Sequence, residues 1–174
     1  PTRALDGRIV FACGLFGGVI GDPARTERVD LRGHDFAWDP QSGAIEILTG
    51  QTQQRRTRND FDEWFGCDSG TLAWHYALDA RDLARNPHHA ARTARVPVAV
   101  GDDPNRMFAI SAPIARYNDL QLAGRTTSAC GLGILRDPLL GDDLLDDLFV
   151  CEPVANAVRR LDLTRDGHDY CGAR

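Results

Sequence analysis

One short phrase recurs along this chain and limits what it can fold into. Apolar and polar residues alternate for a few positions, a turn pair follows, and a second run returns. The turn pairs are Asp6-Gly7, Ser42-Gly43, Ser69-Gly70 and Asp166-Gly167. Glycine accepts the positive φ that tight hairpin turns demand, and proline presets φ where a turn begins. Period-two alternation bounded by such turns marks half-buried antiparallel strands. The clearest case is Phe36-Ala37-Trp38, then Asp39-Pro40-Gln41-Ser42-Gly43, then Ile45-Glu46-Ile47. Folding about that turn sets Trp38 opposite Ile45 and Phe36 opposite Ile47, on one face.

Strand-like runs also fall at 8–12, 63–68, 72–76, 131–135, 147–151 and 158–163. The runs at 131–135 and 147–151 are apolar on both faces, so they call for cover on both sides. Blades of a β-propeller supply it, because each sheet lies between its neighbours. A β-sandwich would show similar short strands. Helical signals are weak, since 17 Gly and 9 Pro punctuate the chain. The best helical window is 78–94, with Ala80, Leu83 and Ala84, but Pro87 interrupts it. It reads as a long loop with one turn of helix. The segment 77–124 is too long for a hairpin turn. The expectation is an all-β fold: a β-propeller fragment of about three blades with long inter-strand loops. Residues 1–174 read as one partial propeller domain, cut at both ends, since the chain starts at Pro1 and its only Met is Met107.

Charge and cysteine content exclude several classes. The net charge is −5, and the 20 basic residues, all Arg, are scattered among 25 acids. A nucleic-acid binder shows a basic face, which is missing here. No apolar stretch is long enough to span a membrane. None of the five cysteines forms a CxxC pair, so this piece holds neither a zinc ribbon nor a c-type haem attachment site. Two cysteines invite a register argument. A hairpin of 131–135 with 148–151, turning near Leu140-Gly141, sets Leu132 opposite Phe149 and Cys130 opposite Cys151. Opposed residues have Cβ atoms about 4.5–5.5 Å apart, near the reach of a disulfide. A Cys130–Cys151 bridge would imply a periplasmic or exported protein. The alternative is two buried free thiols.

Longer stretches carry a resemblance. They are CGLFGG (13–18), RGHDFAWDPQSGAIEILTGQTQQ (32–54), RTRNDFDEWFGCD (56–68), WHYAL (74–78), RNPHHAA (85–91), TSACGLGILRDPLLG (127–141) and LFVCEPVANAVRRLDL (148–163). Together they resemble the membrane-bound dehydrogenase family, the propeller domain of PVC-type haem-binding CxxCH proteins. That family is distantly similar to glucose and sorbosone dehydrogenases that use pyrroloquinoline quinone (PQQ). The resemblance implies an extracytoplasmic propeller oxidoreductase acting on a sugar or other alcohol, with PQQ and calcium as cofactors. It further implies haem c in a downstream domain of the same parent chain, as electron acceptor. The chain departs from the pattern at Gln51-Thr52-Gln53-Gln54, where an Arg-Asn pair is expected. Ala155 and Arg159 stand near Asn156 where His is expected, and Cys13 stands in place of an aromatic.

Propeller sites are built by loops at one end of the innermost strands. By the resemblance, these loops are the stretches around 52–60, 68 and 152–156. Alternation would set Arg58 and Asp60 on one side, able to hold a sugar or quinone oxygen by charge-assisted bonds. Arg58 with Asp60 or Asp68 is the candidate catalytic pair, with His75 as an alternative base. Gln53, Asp68, Glu152 and Asn156 are candidate substrate- or cofactor-binding residues. No metal-ligand set stands out: His88-His89 are adjacent and diverge, and the acids at 102–103 and 142–147 lack a calcium-loop pattern. The plainer reading has self-neutralising surface pairs and a histidine bonded in the core. The corresponding function is a non-catalytic propeller scaffold that binds a glycan or a protein partner.

Overall fold

The computed structural model describes all residues except 25, 32, 87, 89–93, 112–123, 168 and 174. Its alternating runs form antiparallel strands in chain order. β1 (Thr2–Arg3) and β2 (Ile9–Phe11) are followed by a ribbon of β3 (Val19–Ile20) and β4 (Val29–Asp30), then by β5 (Phe36–Trp38) and β6 (Ile45–Ile47). The first sheet runs β1-β2-β5-β6, with β3-β4 as a separate pair. Its hairpin has the expected register, Trp38 facing Ile45 and Phe36 facing Ile47. Phe36 also stacks on Phe11 at 4.9 Å between ring centres.

The second sheet holds β7 (Arg56–Arg58), β8 (Trp64–Asp68), β9 (Thr71–His75) and β10 (Val96–Pro97), in the order β10-β9-β8-β7. The third is a plain meander of β11 (Cys130–Ile134), β12 (Leu148–Glu152), β13 (Ala157–Asp166) and β14 (Asp169–Ala173). Between β9 and β10 lies α1 (Ala80–Arg85). Asp79 starts it by accepting a bond from the Arg81 amide, which satisfies one of the free donors at a helix start. No residue of α1 is buried. Pro87, the expected helix breaker, lies outside the described residues.

Register decides what each face of the second sheet meets. Arg56 pairs with Gly66 and Arg58 with Trp64, while Thr57 pairs with Phe65 and Phe65 with His75. Opposed residues share a face. Trp64 therefore packs one way, on Ala4, Val10, Ala37 and Leu48 of the first sheet's side. Phe65 points the other way and joins Cys67, Leu132, Leu148, Val150 and Leu161 in the main core. The middle sheet is thus covered on both faces. The third sheet is less so than its sequence suggests: Leu148 and Val150 are fully buried, Phe149 and Cys151 only half-buried, and Val158 is exposed.

Two details of the third sheet differ from expectation. Cys130 does face Cys151, but Phe149 faces Gly133 rather than Leu132. Gly131, at φ +60°, bulges the strand between these pairs and shifts the register. All five cysteines are free thiols, so the expected Cys130–Cys151 disulfide is not formed. The Cys151 sulfur lies over Gly131, 3.3 Å from where a Cβ there would stand.

The long connection from β10 to β11 is pinned at several points. The Val98 amide donates to Ala73 O at 3.0 Å, and the Gly172 amide to Val98 O at 2.7 Å. Further on, the Met107 amide donates to Gly124 O at 2.8 Å and the Ala129 amide to Ser69 O at 3.4 Å.

Gly66 offers a direct test of how the first two sheets meet. A Cβ there would stand 2.6 Å from both the Thr52 and the Tyr76 hydroxyl oxygens. Gly66→Ala is expected to destabilise the protein by about 1–3 kcal/mol through overpacking. Gly133→Ala meets nothing within 4 Å and is the control. Thermal melts of the two variants should separate clearly, with Gly133→Ala close to wild type.

Candidate functional site

A wholly buried carboxylate organises the region between the first two sheets. Asp35 stands immediately before β5 and has no exposed surface. Its Oδ1 accepts from the amides of Cys13 (3.0 Å) and Thr52 (2.9 Å). Its Oδ2 accepts from the Thr52 hydroxyl and from Arg56 Nη1, the latter at 3.2 Å. Arg56 Nη1 also donates to Thr49 O at 2.8 Å. The Arg56 guanidinium lies over the Tyr76 ring, 3.9 Å from its centre. The Tyr76 hydroxyl meets Thr52 Oγ1 at 2.5 Å, and burial pushes its pKa up to about 12.

Of these groups, Thr49, Arg56 and Tyr76 line a cleft of about 770 Å³, together with Trp64 and His75. Arg8 and Arg81, on its rim, are both held by Glu46. The far wall comes from the third sheet. His75, 3% exposed, contacts Asp169 of β14 through Nδ1 at 3.1 Å. Its ring packs between Phe65 and Tyr170, with centres 5.1 Å from each. Beside it, Glu63 accepts from Asn59 Nδ2 at 2.6 Å, from the Tyr170 hydroxyl and from Arg165. Burial pushes the Glu63 carboxyl up, but the bonds from Tyr170 and Asn59 and the charge of Arg165 outweigh it, leaving the pKa lowered. Tyr170 is pushed up to about 12 by burial and by its bond to the Glu63 carboxylate.

Of the residues picked from sequence, His75 alone lines this cleft. Arg58 pairs with Asp62 at 3.4 Å rather than with Asp60, and donates to Arg3 O and Asn59 O. Asp60 pairs with Arg136 across to the third sheet at 2.9 Å. Asp68 accepts from Trp74 Nε1 at 2.8 Å and from the Gly70 amide. Arg58 faces Trp64 at the start of β8 and Asp68 lies at its end, about 13 Å away at strand rise. The expected Arg58–Asp68 pairing therefore does not form, because the two residues sit at opposite ends of one strand. Gln53 Oε1 accepts from the Ser69 amide at 2.7 Å, which ties it to the β8–β9 turn. Glu152 is fully buried and accepts from the amides of Thr127, Ser128 and Val154. Asn156 takes the left-handed φ of the β12–β13 turn, +50°, and its Nδ2 donates to Ser111 Oγ.

The expected cofactors can be tested on these donors. Gln51 Nε2 donates to Gly14 O and Leu15 O, and Gln53 holds a turn. Neither offers a cation to a quinone carboxylate. Among the described residues, no group of three His, Cys, Asp or Glu is placed to hold a metal ion. The glutamines of this stretch do not fit the role of holding a quinone carboxylate. Membrane-spanning helices are likewise missing: among the described residues no helix is long and apolar enough to cross a bilayer.

A family model described as "Domain of unknown function (DUF7133)" matches residues 1–174. The chain belongs to the DUF7133 family. No curated protein and no solved structure matches it. Within this DUF7133 chain the site residues that sequence reasoning missed are Asp35, Glu63, Asp169 and Tyr170, while Arg56 falls inside the expected stretch 52–60. Each acid looks like a solvated turn residue until its partner, 21 to 107 positions away, is known.

The Glu63 cluster predicts a pH response. A carboxyl with a lowered folded pKa stabilises the fold fully above its ordinary value of 4.5, and that stabilisation is lost as pH falls through the lower folded value. Melting temperatures followed from neutral pH into acid should fall less steeply for Glu63→Gln than for wild type. Equal slopes would show that Glu63 is not coupled to folding.

Proposed function

We propose that this chain is a three-blade stretch of a β-propeller, part of an extracytoplasmic oxidoreductase acting on a sugar or other alcohol. The sheet arrangement supports the first half. Three four-stranded antiparallel sheets follow one another along the chain. The first strands approach each other, as innermost blade strands do around an axis: β11 lies against β7, and β1 joins β7 through Thr2 Oγ1 to Arg56 O at 2.6 Å. The family resemblance of the sequence supports both halves.

The observation that carries the catalytic reading is the His75–Asp169 pair in the cleft wall. With Nδ1–H donated to Asp169, Nε2 is left as an acceptor for a hydroxyl proton. Trp64 and Tyr76 give the cleft aromatic surface, and bonded arginines and acids line its rim. The quinone or haem acceptor would be held outside this chain, consistent with the poor fit at Gln51–Gln54.

A second reading, a non-catalytic scaffold for a glycan or protein partner, is favoured by a different observation. Arg58, Asp60, Gln53, Asp68 and Glu152 are all committed to bonds that hold the fold.

Turnover of a sugar and alcohol panel by the full-length protein, followed by dye reduction, separates the two readings. His75→Gln should lower kcat by about 10²–10⁴-fold, and Asp169→Asn should lower it in the same direction with sugar binding kept. Sugar binding with no turnover in the wild-type protein would assign the scaffold role instead.

A further inference from the structure

His75 belongs to β9, yet two of the groups that hold its ring are consecutive residues of β14. Asp169 meets Nδ1 at 3.1 Å, and Tyr170 packs edge-on with ring centres 5.1 Å apart. Phe65 touches both rings, 5.1 Å from His75 and 5.3 Å from Tyr170. Phe65 has no exposed surface and sits in the main core, so it is a fixed wall. Tyr170 is only half-buried. Its place therefore depends on what holds its hydroxyl.

That hydroxyl donates to the Glu63 carboxylate and lies 3.3 Å from Asn59 Nδ2. Asn59 Nδ2 donates to the same carboxylate at 2.6 Å. Arg165, which faces Tyr170 across the β13–β14 hairpin, also pairs with Glu63. Glu63 thus grips both members of one cross-strand pair, one residue away from Asp169. Bonds to a charged acceptor are about twice as strong as neutral ones, so this grip outweighs the ring contacts in placing the hairpin end.

We propose that Glu63 is a positioning residue for His75: by holding the Tyr170 hydroxyl, it keeps the imidazole and Asp169 in bonding register. The assignment rests on the reading of His75 as the base, and its effect runs through Tyr170. A base moved by about 1 Å can lose rate on the order of 10²-fold, so the register of this pair is open to kinetic test.

Tyr170→Phe keeps the ring against His75 and removes the bond to Glu63. Glu63→Met removes the acceptor, whereas Glu63→Gln still offers an oxygen to the hydroxyl. Arg136→Gln is the control for sheet docking. It breaks the Asp60–Arg136 pair, which also joins the second sheet to the third, and leaves the His75 cluster alone. The full-length protein and these variants are assayed by dye reduction on the sugar and alcohol panel. The Nδ1–H proton of His75 is followed by NMR after ¹⁵N-histidine labelling. Tyr170→Phe and Glu63→Met are expected to lower kcat about tenfold with KM kept, and to shift or broaden the Nδ1–H signal. Glu63→Gln and Arg136→Gln should stay close to wild type. Four outcomes overturn the positioning role alone: wild-type kcat in Tyr170→Phe, an unchanged Nδ1–H signal there, Glu63→Gln as slow as Glu63→Met, or Arg136→Gln as slow as Tyr170→Phe. Wild type that turns over no member of the panel, or full turnover in His75→Gln, would instead overturn the reading of His75 as the base, and the positioning role with it.

Discussion

The ion pair of Asp35 with Arg56 is the constraint on which the rest of this structure depends. Its members are 0% and 5% exposed, so neither charge has water to fall back on. Removing one partner from such a pair typically costs about 3–5 kcal/mol, because the other charge stays buried alone. Asp35 collects bonds from the end of β2, from the loop before β7 and from β7 itself. That set of bonds fixes the first sheet against the second. Tyr76 then fits over the guanidinium, and Gly50 and Gly66 leave room for its ring. The shape of the cleft floor is a by-product of satisfying one carboxylate.

The two ends of the second sheet have different work. At the end of β8, Gln53 and Asp68 fasten turns, and Glu152 does the same where the third sheet begins. Each carboxylate or amide there meets backbone N–H groups that the chain reversal leaves unpaired, which a buried turn requires. At the other end, Glu63, His75, Asp169 and Tyr170 meet one another rather than the backbone. These side chains tie the second sheet to the third, whereas the turn fasteners act within one chain reversal.

What the sequence made legible was local. The hairpin from Phe36 to Ile47 could be read down to its facing residues, because a turn cluster sets the register of the strands that flank it. The Cys130–Cys151 opposition was also legible, but not the bulge, since a glycine in a strand does not announce the sign of its φ. Alternation alone suggested Arg58 beside Asp60. The chain turns at 59–63, Asp62 takes a positive φ, and Asp62 rather than Asp60 comes back to the arginine. The site residues that were missed have partners in other sheets. His75 and Asp169 are 94 positions apart, and no pattern in either neighbourhood refers to the other.

The pins on the β10–β11 connection carry a consequence for how such a chain can diversify. Val98 is tied to Ala73 and Gly172, and the bond from Met107 to Gly124 brings two distant points of the chain together. Sequence spliced between Met107 and Gly124 starts and finishes at almost the same place. Doubling the length of a flexible insert raises its closure cost by only about 0.6 kcal/mol. A change of length there would leave both ends of the stretch where the clasp holds them, beside the three sheets rather than inside them.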